Sequence, residues 1–136
     1  MSSEAPARGF LLDTHTAIFS LLDDPPSLSR RAKAAVDAGP NFLSVVSYWE
    51  VAIKSMKGRI DVGDPRIWWT EALDKLVATP LLLRPEHVDA LLKLPPVHKD
   101  PFDRILIAQA MAEGLVLVSM DAEVARYASA GLRIIG

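Results

Sequence analysis

A chain of 136 residues is long enough for one compact domain with a single layered core. Half of its residues are hydrophobic and 24% are charged, an ordinary globular balance, and no apolar run approaches the roughly 18 residues of a membrane span. A net charge of −2 excludes a uniformly basic coat, and the absence of cysteine excludes disulfides and thiolate metal sites. Residues 1–8 read as a flexible N-terminal segment without the apolar stretch of a signal peptide, and residues 9–136 as one domain. A soluble cytoplasmic protein is expected.

In chain order, the apolar run from Gly9 to Leu12 suits a short buried strand ending at Asp13. A short helix is expected over His15 to Leu22, with Asp13 or Thr14 as its cap. Pro25-Pro26 breaks the chain, and Ser27 or Ser29 can start a second helix that runs to Gly39. Asn41 to Leu43 is a second strand. Ser44 caps a helix from Val45 to Gly58, with Trp49, Ala52, Ile53 and Met56 assigned to its apolar face. Asp64-Pro65, a capping acid before proline, opens the next helix, which carries Trp68, Trp69, Leu73 and Leu76.

A third strand is placed at Leu81 to Leu83, followed by a helix over Pro85 to Leu92 and a break at Pro95-Pro96. Asp100-Pro101 repeats the cap-plus-proline signal and opens a helix to Glu113, stopped by Gly114. Leu115 to Val118 forms a buried strand, Ala122 to Ala128 a short helix and Leu132 to Ile135 a last strand. Short apolar strands separated by helices give an α/β fold with a parallel sheet; the pattern leaves the strand order open.

Four acids fall at corresponding places in this pattern. Asp13 follows the first strand, Glu50 lies early in the helix after the second, Asp103 lies in the first turn of the Asp100-Pro101 helix, and Asp121 follows the Leu115 to Val118 strand. Strand carboxyl ends and the starts of following helices share one edge of an open parallel sheet, where ligands bind. Clustered carboxylates raise one another's pKa unless a cation neutralises them, and hard oxygen donors suit Mg²⁺ or Mn²⁺. Such a site suggests phosphodiester hydrolysis. Removing these four from the 17 acids leaves 13 against 15 Lys and Arg, so overall charge decides nothing about an RNA substrate.

Each acid also has a purely structural reading. Asp13 and Asp121 could be helix caps, and Glu50 could pair with Lys54 as an exposed helical ion pair worth about 0.3–0.5 kcal/mol. Asp103 could simply favour the helix dipole, although it shares a helical row with Ile107 and Ala110 in an apolar stretch. Four such coincidences at one edge are harder to accept than a shared site.

LLDTHTAIF around Asp13, SVVSYWEVAIK around Glu50, HKDPFDRILIAQA around Asp103 and VLVSMDAEVARY around Asp121 occur in that order. With them the chain resembles PIN-domain ribonucleases, especially VapC-like toxins of type II toxin–antitoxin pairs. The resemblance implies a PIN-like α/β/α sandwich with a central parallel sheet of about five short strands. It implies a Mg²⁺- or Mn²⁺-dependent endoribonuclease in which Asp13, Glu50, Asp103 and Asp121 hold the metal and a metal-activated water cuts RNA. Asp100 is then a helix cap first and an outer ligand second, and Ser119 a secondary candidate near the metal. Lys54, Lys57, Arg59, Lys99 and Arg104 could meet the RNA backbone, Arg104 foremost. His15 is assigned to local packing, His98 receives no role, and the three histidines form no zinc spacing. The resemblance further implies a cognate antitoxin and a homodimer, with no membrane association. Trp68 and Trp69 point about 100° apart on a helix, so one packs inside and the other is half exposed, free to line a partner groove.

Two other classes compete. A catalytically idle PIN-like module would bind RNA or protein without cutting, but all four acids are present. A phosphotransfer receiver domain would want an acid pair after the first strand and a lysine after the last long one. Asp13 has no adjacent acid, and Ser119-Met120-Asp121 supplies no lysine.

Overall fold

The computed structural model describes residues 6–22 and 28–136, so the Pro25-Pro26 break and the Ser27 cap lie outside the described residues. Five strands, β1 (Phe10–Leu12), β2 (Asn41–Ser44), β3 (Ala78–Leu81), β4 (Val116–Val118) and β5 (Ile134–Ile135), form one parallel sheet in the order β3-β2-β1-β4-β5. The helices among the described residues are α1 (Thr14–Ser20), α2 (Arg30–Ala38), α3 (Val45–Met56), α4 (Pro65–Lys75), α5 (Pro85–Leu92), α6 (Pro101–Glu113) and α7 (Ala122–Ala125). A 3-10 turn, Arg126–Ala130, replaces the second half of the helix expected up to Ala128.

Successive strand residues point to opposite faces, and both faces are covered, as parallel sheets require. Leu11, Phe42, Leu117 and Ile134 pack with α6 residues Leu106, Ile107 and Ala110 and with Tyr127. Leu12, Leu43, Val118 and Ile135 pack on the other face with Ala17, Ala32, Val51, Trp68 and Ala72 of α1 to α4. The result is the expected α/β/α sandwich.

Local chemistry sets the helix ends. Asp13, Ser29, Ser44, Asp64, Asp100 and Asp121 each accept a backbone N–H at the start of a helix. Pro65, Pro85 and Pro101 occupy first helical positions, where no intrahelical N–H is needed. Gly114 closes α6 at φ 66°, a left-handed conformation that glycine adopts without steric penalty. Arg8, in the segment expected to be flexible, donates its backbone N–H to Gly114 O at 3.0 Å and meets Glu113 through its guanidinium at 3.1 Å.

Two expectations need correction. The third strand is Ala78–Leu81, upstream of the Leu81 to Leu83 run, and Leu82 and Leu83 are exposed. Only the edge position of β3 lets Pro80, without an N–H, sit inside a strand. The second concerns α3: it buries Val46, Ser47, Glu50 and Val51, while Trp49 and Met56 of the expected core face are 57% and 82% exposed. The inward stripe includes Ser47 and Glu50, whose polar side chains find partners in Thr14 and Lys54.

Candidate functional site

The sheet positions the site through its register. Leu12 of β1 lies between Leu43 of β2 and Val118 of β4, so Asp13, Ser44 and Ser119 emerge side by side at the carboxyl edge. The strand order reverses between β1 and β4, where connections leave in opposite directions and open a crevice.

Asp13 is buried at the end of β1, and its backbone N–H donates to Val118 O at 3.1 Å. Its Oδ1 accepts the Thr16 N–H at 2.8 Å, the capping bond expected of it. Burial raises its pKa, and hydrogen bonds from Ser119 and Thr16 offset this only in part. Ser119 is itself buried, and its Oγ accepts the Asp121 N–H at 3.2 Å.

Glu50 is 2% exposed. Thr14 Oγ1 donates to Glu50 Oε1 at 2.6 Å, with Ser47 Oγ at 3.0 Å from the same hydroxyl, and Lys54 Nζ donates to Oε2 at 2.5 Å. The Glu50–Lys54 pair therefore exists, but as a largely enclosed contact. Partial burial would lower the Lys54 pKa, yet its bond to Glu50 and the negative charges of Glu50, Asp100 and Asp103 outweigh it, and the net shift is upward. Lys54 thus stands as a counter-charge among three acids from α3 and the start of α6.

Asp103 is pushed up to about 6, first by burial and then by the charges of Asp100 and Glu50, against the opposing effect of His98. Asp100 Oδ1 accepts the Asp103 N–H at 3.0 Å and so caps α6, as expected, while its charge also bears on Asp103.

His98, given no role from sequence, completes the cluster. The Lys99 N–H donates to His98 Nδ1 at 3.1 Å, which assigns the proton of the neutral ring to Nε2. Nε2 then donates to Asp103 Oδ2 at 2.8 Å and lies 3.8 Å from Asp121 Oδ2. One donor atom each from His98, Asp103 and Asp121 lie within 4.8 Å of one another, the only such group among the described residues. Asp121 also caps α7 through Oδ1, which accepts the Glu123 N–H at 2.8 Å.

The loop bearing His98 is pinned from below. The His98 N–H donates to Tyr127 Oη at 2.9 Å, and Tyr127 Oη donates to Pro95 O at 2.9 Å. Arg104 Nη1 donates to the same hydroxyl and the same carbonyl, each at 3.1 Å, so this donor braces the loop. His15 is exposed and lies against Phe19, ring centroids 6.1 Å apart.

The four acids are not equally close. Asp103 and Asp121 converge around His98. Glu50 faces Asp103 electrostatically across Lys54, and Asp13 stands beside Ser119 at the end of β1. The signal for His98 was available: it lies five residues before Asp103, ahead of a rigid Asp-Pro helix start.

Comparison with known proteins identifies the fold and the family. Residues 10–130 match the PIN domain family. The fold is similar to that in the crystal structure of FitAcB from Neisseria gonorrhoeae, with 16% identity and a TM-score of 0.64. It is similar also to DNA-bound VapBC from Salmonella typhimurium (20%, 0.65) and to VapBC2 from Rickettsia felis bound to a promoter DNA fragment (12%, 0.64). Each alignment covers 93% of this chain and 96% of the other, and at these identities the likeness is one of fold. Comparison with curated protein sequences gives no match. Because the family match spans nearly the whole fold and all four acidic segments, the chain belongs to the PIN domain family.

Proposed function

We propose that this protein is an endoribonuclease toxin that uses Mg²⁺ or Mn²⁺ and is held inactive by a cognate antitoxin. The observation that carries the reading is the approach of Asp103 and Asp121 around His98 at the carboxyl edge of a PIN fold. The donor set fits a hard divalent cation: carboxylate oxygens dominate, and the raised Asp103 pKa reflects crowded, partly buried charge that a cation would relieve.

Asp103 and Asp121 would hold the cation together with Asp13 and Glu50. When bound, it lowers the pKa of water and stabilises charge on a phosphoryl oxygen. The remaining work falls to the chain. Thr14 and Lys54 fix the Glu50 carboxylate, and the His98 Nε2–H fixes that of Asp103. The carboxylates would also help take the proton of an attacking water. Ser119 and Asp100 orient these acids from behind, and Lys57, Arg59 and Lys99, unpaired among the described residues, can meet phosphates along the rim.

An antitoxin partner is supported by the likeness to the FitAcB and VapBC structures and by apolar surface on α4, where Ile67 is exposed and Trp69 stacks on Tyr48 at 5.1 Å. Buried Trp68 and half-buried Trp69 divide the pair as expected. A homodimer belongs to the same reading. No described helix is long and apolar enough to cross a membrane.

The test is cleavage of labelled RNA by the purified full chain with Mn²⁺, Mg²⁺ or EDTA. Cleavage should require the cation, and Asp13→Ala or Asp103→Ala should abolish it without unfolding the chain. Undiminished cleavage by both variants would remove the site. For the toxin role, expression of the chain alone should arrest growth, and co-expression of its antitoxin should restore it.

A further inference from the structure

Trp49 is 57% exposed although it sits directly before buried Glu50. Phe102 occupies the matching place on α6, directly before Asp103. The two rings meet in a T at 5.2 Å and 81°, bridging α3 and α6. An edge-on contact leaves at least one face of the indole uncovered by Phe102. Trp69 differs, since nearly parallel stacking on Tyr48, at 11°, occupies one of its faces. α3 thus turns one aromatic toward α4 and the other toward the acid-bearing end of α6.

We propose that Trp49, braced by Phe102, is the stacking platform for an unpaired base next to the phosphate cut at the acid cluster. The inference rests on the ribonuclease reading above and adds a residue that selects single-stranded substrate. Trp49 directly precedes Glu50, and its ring meets Phe102, which directly precedes Asp103, so a base stacked there would hold the RNA strand next to the acid cluster. Lys57 and Lys99, on the chain segments that follow α3 and precede α6, make no ion pair among the described residues and can meet flanking phosphates. Every base has a π-face, so stacking favours unpaired nucleotides over duplex with little sequence preference.

The experiment compares the full-length wild type, Trp49→Ala and Trp49→Phe on a randomised 12-nucleotide RNA pool and on the same pool made fully double-stranded. Cleavage is followed with Mn²⁺, and binding by fluorescence anisotropy in EDTA. Trp49→Ala should raise KM and weaken single-strand binding by about 10-fold, within the range for loss of one base stack. Its kcat should stay within about threefold, its size-exclusion profile should not change, and Trp49→Phe should recover most of the loss. Unchanged KM and binding in Trp49→Ala would overturn the platform and leave the ribonuclease reading standing. So would an equal loss on duplex, or loss of a homodimer with KM unchanged, which would mark Trp49 as a protein interface. Absence of cleavage and binding in the wild type would instead sink the ribonuclease reading, and this inference with it.

Discussion

Asp103 shows what the site costs the fold. Its carboxyl titrates near 6 instead of 3.8, so between these values the folded chain holds a proton that the unfolded chain has released. Stability of the metal-free protein therefore falls as pH rises through that window. Asp103→Asn removes the penalty while keeping an oxygen to accept from His98. In EDTA at pH 7.5 the variant should gain about 1–2 kcal/mol in urea unfolding, with the gain gone near pH 4. A variant no more stable than wild type at pH 7.5, or equally favoured at both pH values, would contradict the cost of burying a charged Asp103 beside Asp100 and Glu50. The same substitution should abolish cleavage, so stability and activity move in opposite directions at this residue.

Helices α3 and α6 carry Glu50 and Asp103, and a buried polar chain holds them in register. Ser44 Oγ, the cap of α3, donates to Gln109 Oε1 of α6 at 2.6 Å, and Gln109 Nε2 lies 3.4 Å from Leu82 O and 3.3 Å from His87 Nδ1. His87 Nδ1 accepts the Arg84 N–H at 3.0 Å, so its Nε2 donates to Glu113 Oε1 at 3.2 Å, and Arg8 meets the same carboxylate. Gln109→Leu would strand the Ser44 hydroxyl in a dry interface and should cost about 1–3 kcal/mol in denaturant unfolding. A loss below about 0.5 kcal/mol would show that the chain of bonds does not clamp the two helices.

At this scale the sequence was most readable where chemistry is local. Asp100-Pro101 and Gly114 marked both ends of α6, and Pro85 marked the start of α5, because caps and proline act within a few residues. β3 was misplaced because Leu81 to Leu83 looks more like a strand than Ala78–Leu81, and only pairing with β2 along the sheet edge selects the latter. Apolar spacing turns Trp49 inward because it assumes that polar residues face water. Glu50 reverses that assumption through partners from other elements: Thr14 lies 36 residues away. His98 is legible only in part: its approach to Asp103 follows from a spacing of five residues, whereas its approach to Asp121 needs the end of β4 folded against the start of α6.

The whole molecule is a sheet read outward from β1, with β2 and β3 on one side and β4 and β5 on the other. Asp13, Glu50, Asp103 and Asp121 come from segments spread along the chain, and nothing but folding brings them to the edge where the two halves meet. Without a cation, their repulsion opposes the packing that gathers them. A cation held jointly by these acids would bind the folded state alone, and should stabilise it by mass action, on the order of 2–3 kcal/mol at about 100 times its Kd. For a chain of this size that corresponds to a rise in Tm of roughly 5–10 °C. Thermal unfolding in EDTA and in excess Mn²⁺ should show the rise in wild type. Asp103→Asn should show little of it, despite a higher starting Tm in EDTA. Lys93→Met, on the exposed end of α5 and outside the site, should keep it in full. Equal rises in wild type and Asp103→Asn would mean that the cation binds elsewhere, and the acids at the carboxyl edge would then be helix caps and ion-pair partners only.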